Sequence, residues 1–137
     1  MSAAATPADV LAGTHRNALL VGDCLDGLRS LPDGCVQACV TSPPYYGLRD
    51  YGNAAQIGQE SSPRAFVDAL VAVFAEVRRV LADDGTCWVN LGDSYSADGE
   101  PNMVPFEVAR ALRADGWCQR AMLPWVKIAA MPESVQS

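Results

Sequence analysis

The sequence predicts an α/β domain, a mainly parallel sheet with flanking helices, on three observations. Two short apolar runs, 36–41 and 86–91, carry β-branched and aromatic residues and are short enough to be buried strands. Between them Phe66, Leu70, Val73, Phe74, Val77 and Leu81 recur at helical spacing and form one apolar face. Strand, helix, strand in that order argues for parallel pairing through a right-handed crossover. Both strands then end on one edge of the sheet, with Gly92-Asp93-Ser94-Tyr95 beside Ser42-Pro43-Pro44-Tyr45.

Taken in order, residues 1–16 read as a flexible leader, small and polar at the start, without the charged and apolar blocks of a signal peptide. Residues 18–21 form an apolar run closed by Gly22-Asp23, a strand ending in a carboxylate. Asp23 has two readings: a ligand-facing group at a strand's carboxyl end, or the N-cap of a two-turn helix over 24–31. Pro32-Asp33-Gly34 is a turn into the central strand, 36–41. A glycine-punctuated loop, 47–61, is long enough to suggest function. Ser62 as N-cap and Pro63 at the first helical position start the long helix. Asp84-Gly85 should end it, with Gly85 in the left-handed conformation. After the strand 86–91 come a short polar loop, 96–102, and a helix over 105–114 stopped at Gly116. The last candidate strand, 117–126, is interrupted by Pro124 and so reads as an edge or bent strand.

Composition sets bounds. With 137 residues, half of them hydrophobic, the chain has room for one modest core. No apolar run approaches the length of a membrane span. Ten basic residues against sixteen acidic ones give a formal net charge of −6, which opposes tight nucleic-acid binding. Arg49, Arg64, Arg78, Arg79, Arg110, Arg113, Arg120 and Lys127 remain as local phosphate contacts or as solvated helix faces. Five cysteines without a Cys-x-x-Cys pair, and one histidine in the leader, make a zinc site improbable. Cys39 and Cys87 fall within strands and read as small buried side chains. A reduced, cytoplasmic protein is the simplest expectation.

The chemistry concentrates where the first strand stops. Pro43 and Pro44 each fix φ near −65° and lack an N–H, and Ser42 and Pro43, each preceding a proline, are pushed towards extended geometry. A hydroxyl, outward carbonyls and an aromatic face are thus held stiffly at a strand's carboxyl end, a suitable grip for a flat molecule bearing an amino group. Two plainer readings exist: a Pro-Pro-x-Tyr ligand for aromatic-groove domains, and a purely structural strand-to-loop turn.

Ser42-Pro43-Pro44-Tyr45 resembles the Ser/Asn/Asp-Pro-Pro-Tyr/Phe/Trp signature of amino-methylating DNA methyltransferases. The likeness extends through Gly22-Asp23-Cys24-Leu25, through Tyr46-Gly47-Leu48-Arg49-Asp50-Tyr51-Gly52 and through 90–95, running roughly from Asn17 to Val135. It is to enzymes whose catalytic motif precedes the cofactor motif. The resemblance implies a partial Rossmann-like S-adenosylmethionine-dependent methyltransferase fold, with 17–137 as its catalytic half. It further implies that Ser42 and the Pro43 carbonyl hold the target amine, that Pro44 stiffens the tip, and that Tyr45 stacks on a base flipped out of the duplex. Asp23 and Asp93 become candidates near the cofactor, and Tyr46, Arg49 and Tyr95 near the substrate. Relatives often have a longer insertion at 96–102, and Met131-Pro132-Glu133-Ser134 resembles the stretch leading to target recognition.

Implied partners are S-adenosylmethionine and double-stranded DNA in a restriction-modification setting, with no metal and no membrane. Serine in the first motif position favours N4-cytosine over N6-adenine. In such enzymes the cofactor lies on a glycine-rich loop towards the carboxyl end, but this chain contains no Gly-x-Gly and no acidic ribose ligand on a following strand. The expectation is therefore an amino-terminal fragment lacking the cofactor half. The alternative is a non-catalytic remnant, or a split subunit that needs a second chain. Methylation of protein glutamine or RNA is disfavoured, because those enzymes place the cofactor loop ahead of the motif, where this chain has no room.

Overall fold

The computed structural model describes residues 5–126. They contain α1 (Pro7–Leu11), α2 (Cys24–Arg29), β1 (Val36–Thr41), α3 (Pro63–Val80), β2 (Leu81–Val89) and α4 (Val104–Ala114). By contacts they fall into two compact units, one of residues 5–42 and 72–90, the other of 43–71 and 91–126. Helix α3 contributes residues to both.

In the first unit β1 and β2 pair in parallel, with Ala38 opposite Thr86, Cys39 opposite Cys87, Val40 opposite Trp88 and Thr41 opposite Val89. The Asn90 N–H donates to the Thr41 carbonyl at 2.9 Å, so both strands finish at the same end. This is the parallel α/β arrangement expected from strand, helix and strand in that order. β2 begins directly after α3, where Leu81 pairs with Val36, and the ladder is irregular until Thr86 meets Ala38. Leu81 therefore belongs to the sheet, not to the helix.

Asp84-Gly85 does not end α3 in a left-handed turn, because Gly85 is absent from the positive-φ residues. Its missing Cβ serves close packing instead: a methyl group there would lie 2.9 Å from the Ala82 carbonyl oxygen. Cys39 and Cys87 are half-buried rather than buried. Burial, then the adjacent Cys39, pushes the Cys87 thiol up to about 12.

Arg79, near the end of α3, ties the connection before β1 to the helix. Its guanidinium donates to the Leu28 carbonyl at 2.9 Å, to the Leu31 carbonyl at 3.0 Å and to Asp33. The Gly34 N–H, in a turn with φ 64°, returns a bond to the Arg79 carbonyl at 3.0 Å. The hydrogen bonds that Arg79 donates to Asp33 and Glu76 raise its pKa above the ordinary value. Arg79 is thus a brace with 30% of its side chain exposed, not a solvated residue waiting for a phosphate.

Two expected strands are not strands. Residues 18–21 and 117–126 carry no ladder, and Val21, Leu123 and Val126 are exposed. A strand exists only through its neighbour's hydrogen bonds, and the described residues supply no third strand. The leader holds an unforeseen element: α1 starts at a capping box in which Asp9 N–H donates to Thr6 Oγ1 and Thr6 N–H donates to Asp9. Hydrogen bonds donated to the Asp9 carboxylate by the Thr6 hydroxyl, at 2.7 Å, and by the Thr6 N–H, at 2.8 Å, lower the Asp9 pKa. Met131-Pro132-Glu133-Ser134 and Lys127 lie outside the described residues.

The apolar spacing read for α3 matches its burial. Phe66, Val67 and Leu70 are buried in the second unit, and Phe74, Val77 and Val80 in the first. Each such side chain contributes about 1.5–3 kcal/mol of transfer free energy. The helix starts as its sequence prescribes, with Ser62 Oγ accepting from the Ala65 N–H at 3.2 Å. In the second unit α4 adds buried Val104 and Val108.

Candidate functional site

Ser42 is the first residue past β1 and is exposed, while Pro43, Pro44, Tyr45 and Tyr46 are half-buried. What fixes Pro44 and Tyr45 in the second unit is a pair of glycines. A Cβ on Gly92 would lie 2.6 Å from Cε2 and 2.9 Å from Cδ2 of Tyr45, so the tyrosine ring rests directly on the backbone beyond β2. Gly58 closes on the other end of the motif, where a Cβ would come within 3.1 Å of the Tyr45 carbonyl oxygen and 3.3 Å of Pro44 Cβ. Gly58, at φ 110°, also accepts from the Gly47 N–H at 2.7 Å. Tyr46 turns the other way and packs on Phe66, ring centroids 5.7 Å apart and tilted by 48°.

The 47–61 loop is built by its own polar groups. Gln56 donates to the Arg49 carbonyl at 2.8 Å and accepts from the Tyr51 N–H at 2.6 Å, and Gln59 donates to the same carbonyl at 3.0 Å. The Arg49 backbone is therefore anchored while the residue itself stays exposed. Sequence reasoning passed over Gln56, since a single glutamine in a loop carries no pattern.

The acidic candidates hold helix starts. Asp93 Oδ2 accepts from the Met103 N–H at 2.8 Å and Oδ1 from the Val104 N–H at 3.0 Å. Asp93 thereby caps α4 from ten residues upstream, where the N-cap position itself, Met103, has a left-handed backbone and no side-chain cap. Tyr95 is exposed and bridges to Pro101 across the 96–102 loop. Asp23 belongs to the other unit, where its Oδ1 caps α2 by accepting from the Leu25 and Asp26 N–H groups at 2.9 and 3.2 Å. Its N-cap reading is the one the geometry displays.

Among the described residues no group of three or more His, Cys, Asp or Glu could hold a metal ion, and no helix is long and apolar enough to cross a membrane. An open groove of about 500 Å³ along α4, lined by Phe106, Arg110, Arg113 and Met122 among others, contains none of Ser42, Pro43, Pro44, Tyr45, Asp23 and Asp93. Chemistry, not volume, marks the Tyr45 site. Arg64, Arg79 and Arg110 are paired with Asp68, with Asp33 and Glu76, and with Glu107 respectively.

Tyr45, seated on Gly92, belongs to a Ser-Pro-Pro-Tyr sequence that resembles the signature of amino-methylating DNA methyltransferases. The family model described as DNA methylase matches residues 36–137, and the chain belongs to that family. It is 43% identical over 86% of its length to the type II methyltransferase M.Cfr9I of Citrobacter freundii, covering 49% of that protein. It is 44% identical to M.XycI of Xanthomonas campestris pv. cyanopsidis, again covering 49% of it. With M.SfiI of Streptomyces fimbriatus the identity is 45%, over 32% of that protein. The chain thus spans about half the length, or less, of these relatives. No solved structure matches it at a significant level.

Proposed function

We propose that this chain is the base-holding half of a type II DNA methyltransferase that methylates the exocyclic amine of a flipped base. N4-cytosine is the favoured target, on the serine of the motif, with N6-adenine as the variant. An exocyclic amine is a poor nucleophile because its lone pair is delocalised into the ring. In this reading its two N–H groups donate to the Ser42 hydroxyl and the Pro43 carbonyl, which favours a pyramidal nitrogen with a free lone pair. Pro44 holds those acceptors stiff, and Tyr45 stacks on the base, which has left the duplex. Tyr46, packed on Phe66, keeps the motif's far end in place; Arg49 and Tyr95 are exposed and face the DNA in this scheme. The observation that carries the reading is the Tyr45 ring of the motif seated on the Gly92 backbone.

The methyl donor proposed for the whole enzyme is S-adenosylmethionine. The residues present do not make its site: there is no Gly-x-Gly, and the carboxylates of Asp23 and Asp93 already accept from helix N-termini. Both aspartates act here as positioning groups. The donor's site then belongs to a complementary half, and coverage of only half of M.Cfr9I and M.XycI favours that reading.

The test is transfer of labelled methyl groups to duplex DNA by the chain together with such a half, followed by nucleoside chromatography to separate N4-methylcytosine from N6-methyladenine. Base–aromatic stacking is worth about 1–3 kcal/mol, so Tyr45→Ala should lower transfer roughly 10–100-fold with the circular dichroism unchanged. Near-normal turnover would remove Tyr45 from the mechanism.

A further inference from the structure

Strand pairing sets two cysteines from distant parts of the sequence side by side. Cys39 in β1 and Cys87 in β2 are direct partners in the parallel ladder, so their side chains leave the same face of the sheet. The Cys87 thiol is hydrogen-bonded to Cys39, and both residues are half-buried free cysteines. Cα atoms of ladder partners lie about 4.7–4.9 Å apart, inside the range of about 4.4–6.8 Å that a disulfide spans. The other cysteines have no such arrangement: Cys24 and Cys118 are exposed, and Cys35 stands just outside β1.

We propose that Cys39 and Cys87 form an oxidisable pair, a modification site at which a hydroperoxide converts the two thiols reversibly into an interstrand disulfide. The Cys39 sulfur attacks a peroxide oxygen as thiolate and the O–O bond breaks. Cys39 becomes a sulfenic acid, and the displaced hydroxide takes up the proton that the Cys39 thiol has shed, leaving as water. The Cys87 sulfur then displaces the sulfenic hydroxyl. An S–S bond forms, the S–O bond breaks, and the hydroxyl leaves with the Cys87 proton as a second water. The peroxide gains the two electrons that the two sulfurs lose. Cys87 takes the second role because burial pushes its thiol up to about 12, and the thiolate is the form that attacks. In a parallel pair the Cα–Cβ bonds run side by side, so the sulfurs must lean together to bond. A disulfide made so is readily reduced by thiols, which suits a transient lock. It ties β1 to β2 three residues before Ser42.

The test treats the native 137-residue chain with hydrogen peroxide, alkylates the remaining thiols and maps unreduced tryptic peptides by mass spectrometry. The expected product joins Cys39 to Cys87, while Cys35, which shares the Cys39 peptide, carries the alkyl group. Dithiothreitol should make both cysteines alkylatable again. Oxidation in urea, where the ladder is gone, should lose most of this link to other pairings. In Cys87→Ser, peroxide should leave on Cys39 a sulfenic acid that dimedone labels; in Cys39→Ser, Cys87 should stay unlabelled. Two alkylated thiols after peroxide, or a link from either cysteine to another one, would overturn the proposal. So would the same link formed equally well in urea, or dimedone on Cys87 in place of Cys39.

Discussion

Gly92 matters through the atom it lacks. Its neighbours are ring atoms of Tyr45, so Gly92→Ala should press a methyl group into the ring and displace it, at a cost of about 1–3 kcal/mol. The check is the ring-current shift of the residue-92 α-proton in NMR spectra; an unchanged shift would deny the close approach. Cys87 makes a different point at the same scale. Burial keeps its thiol protonated in the folded chain up to about 12, while an unfolded cysteine ionises near 9.0. Above pH 9 the unfolded state therefore releases its proton first. The stabilisation is complete below that pH and declines as pH climbs towards 12. Urea midpoints measured on either side of pH 9 should fall on the alkaline side, and fall less in Cys87→Ala. None of these couplings could be read from single residues, since the sequence does not say which backbone passes beneath Tyr45 or which thiol stands beside Cys87.

At the scale of elements, local signals succeeded and distant ones were invisible. β1 has the bounds its composition announced, α3 starts at Ser62-Pro63, and α4 begins one residue before the expected 105. The apolar runs 18–21 and 117–126 misled because hydrophobic patterning reports a preference for burial, whereas a strand also needs a neighbour. The Ser-Pro-Pro-Tyr motif was legible as four consecutive residues. Its support by Gly58 and Gly92 was not, because it comes from segments more than ten residues away. Asp93 is a cofactor-side candidate by resemblance, and in the structure it spans ten and eleven residues to start α4. Removing an N-cap acceptor costs about 0.5–2 kcal/mol. Asp93→Ala should accordingly lower the melting temperature and speed amide exchange in the first turn of α4, and Asp93→Asn should retain most of the protection.

For the whole molecule the charge balance is decisive. Sixteen acidic residues outnumber ten basic ones, and three of the arginines considered for phosphate contact are engaged with carboxylates. Duplex affinity depends on cations free to displace counterions. The chain by itself should therefore not retain duplex DNA in a mobility-shift assay at physiological salt; tight retention would show that a local basic surface outweighs the net charge. Neighbouring positions also tie distant parts together. Gly92 underlies the tyrosine ring, and the next residue tethers the start of α4. A lesion that frays this helix is thus transmitted to the platform by one peptide bond. Inactive variants mapping to residues 103–107 are best diagnosed first as mechanical faults, a slackened guy-rope, before any contact with substrate is invoked.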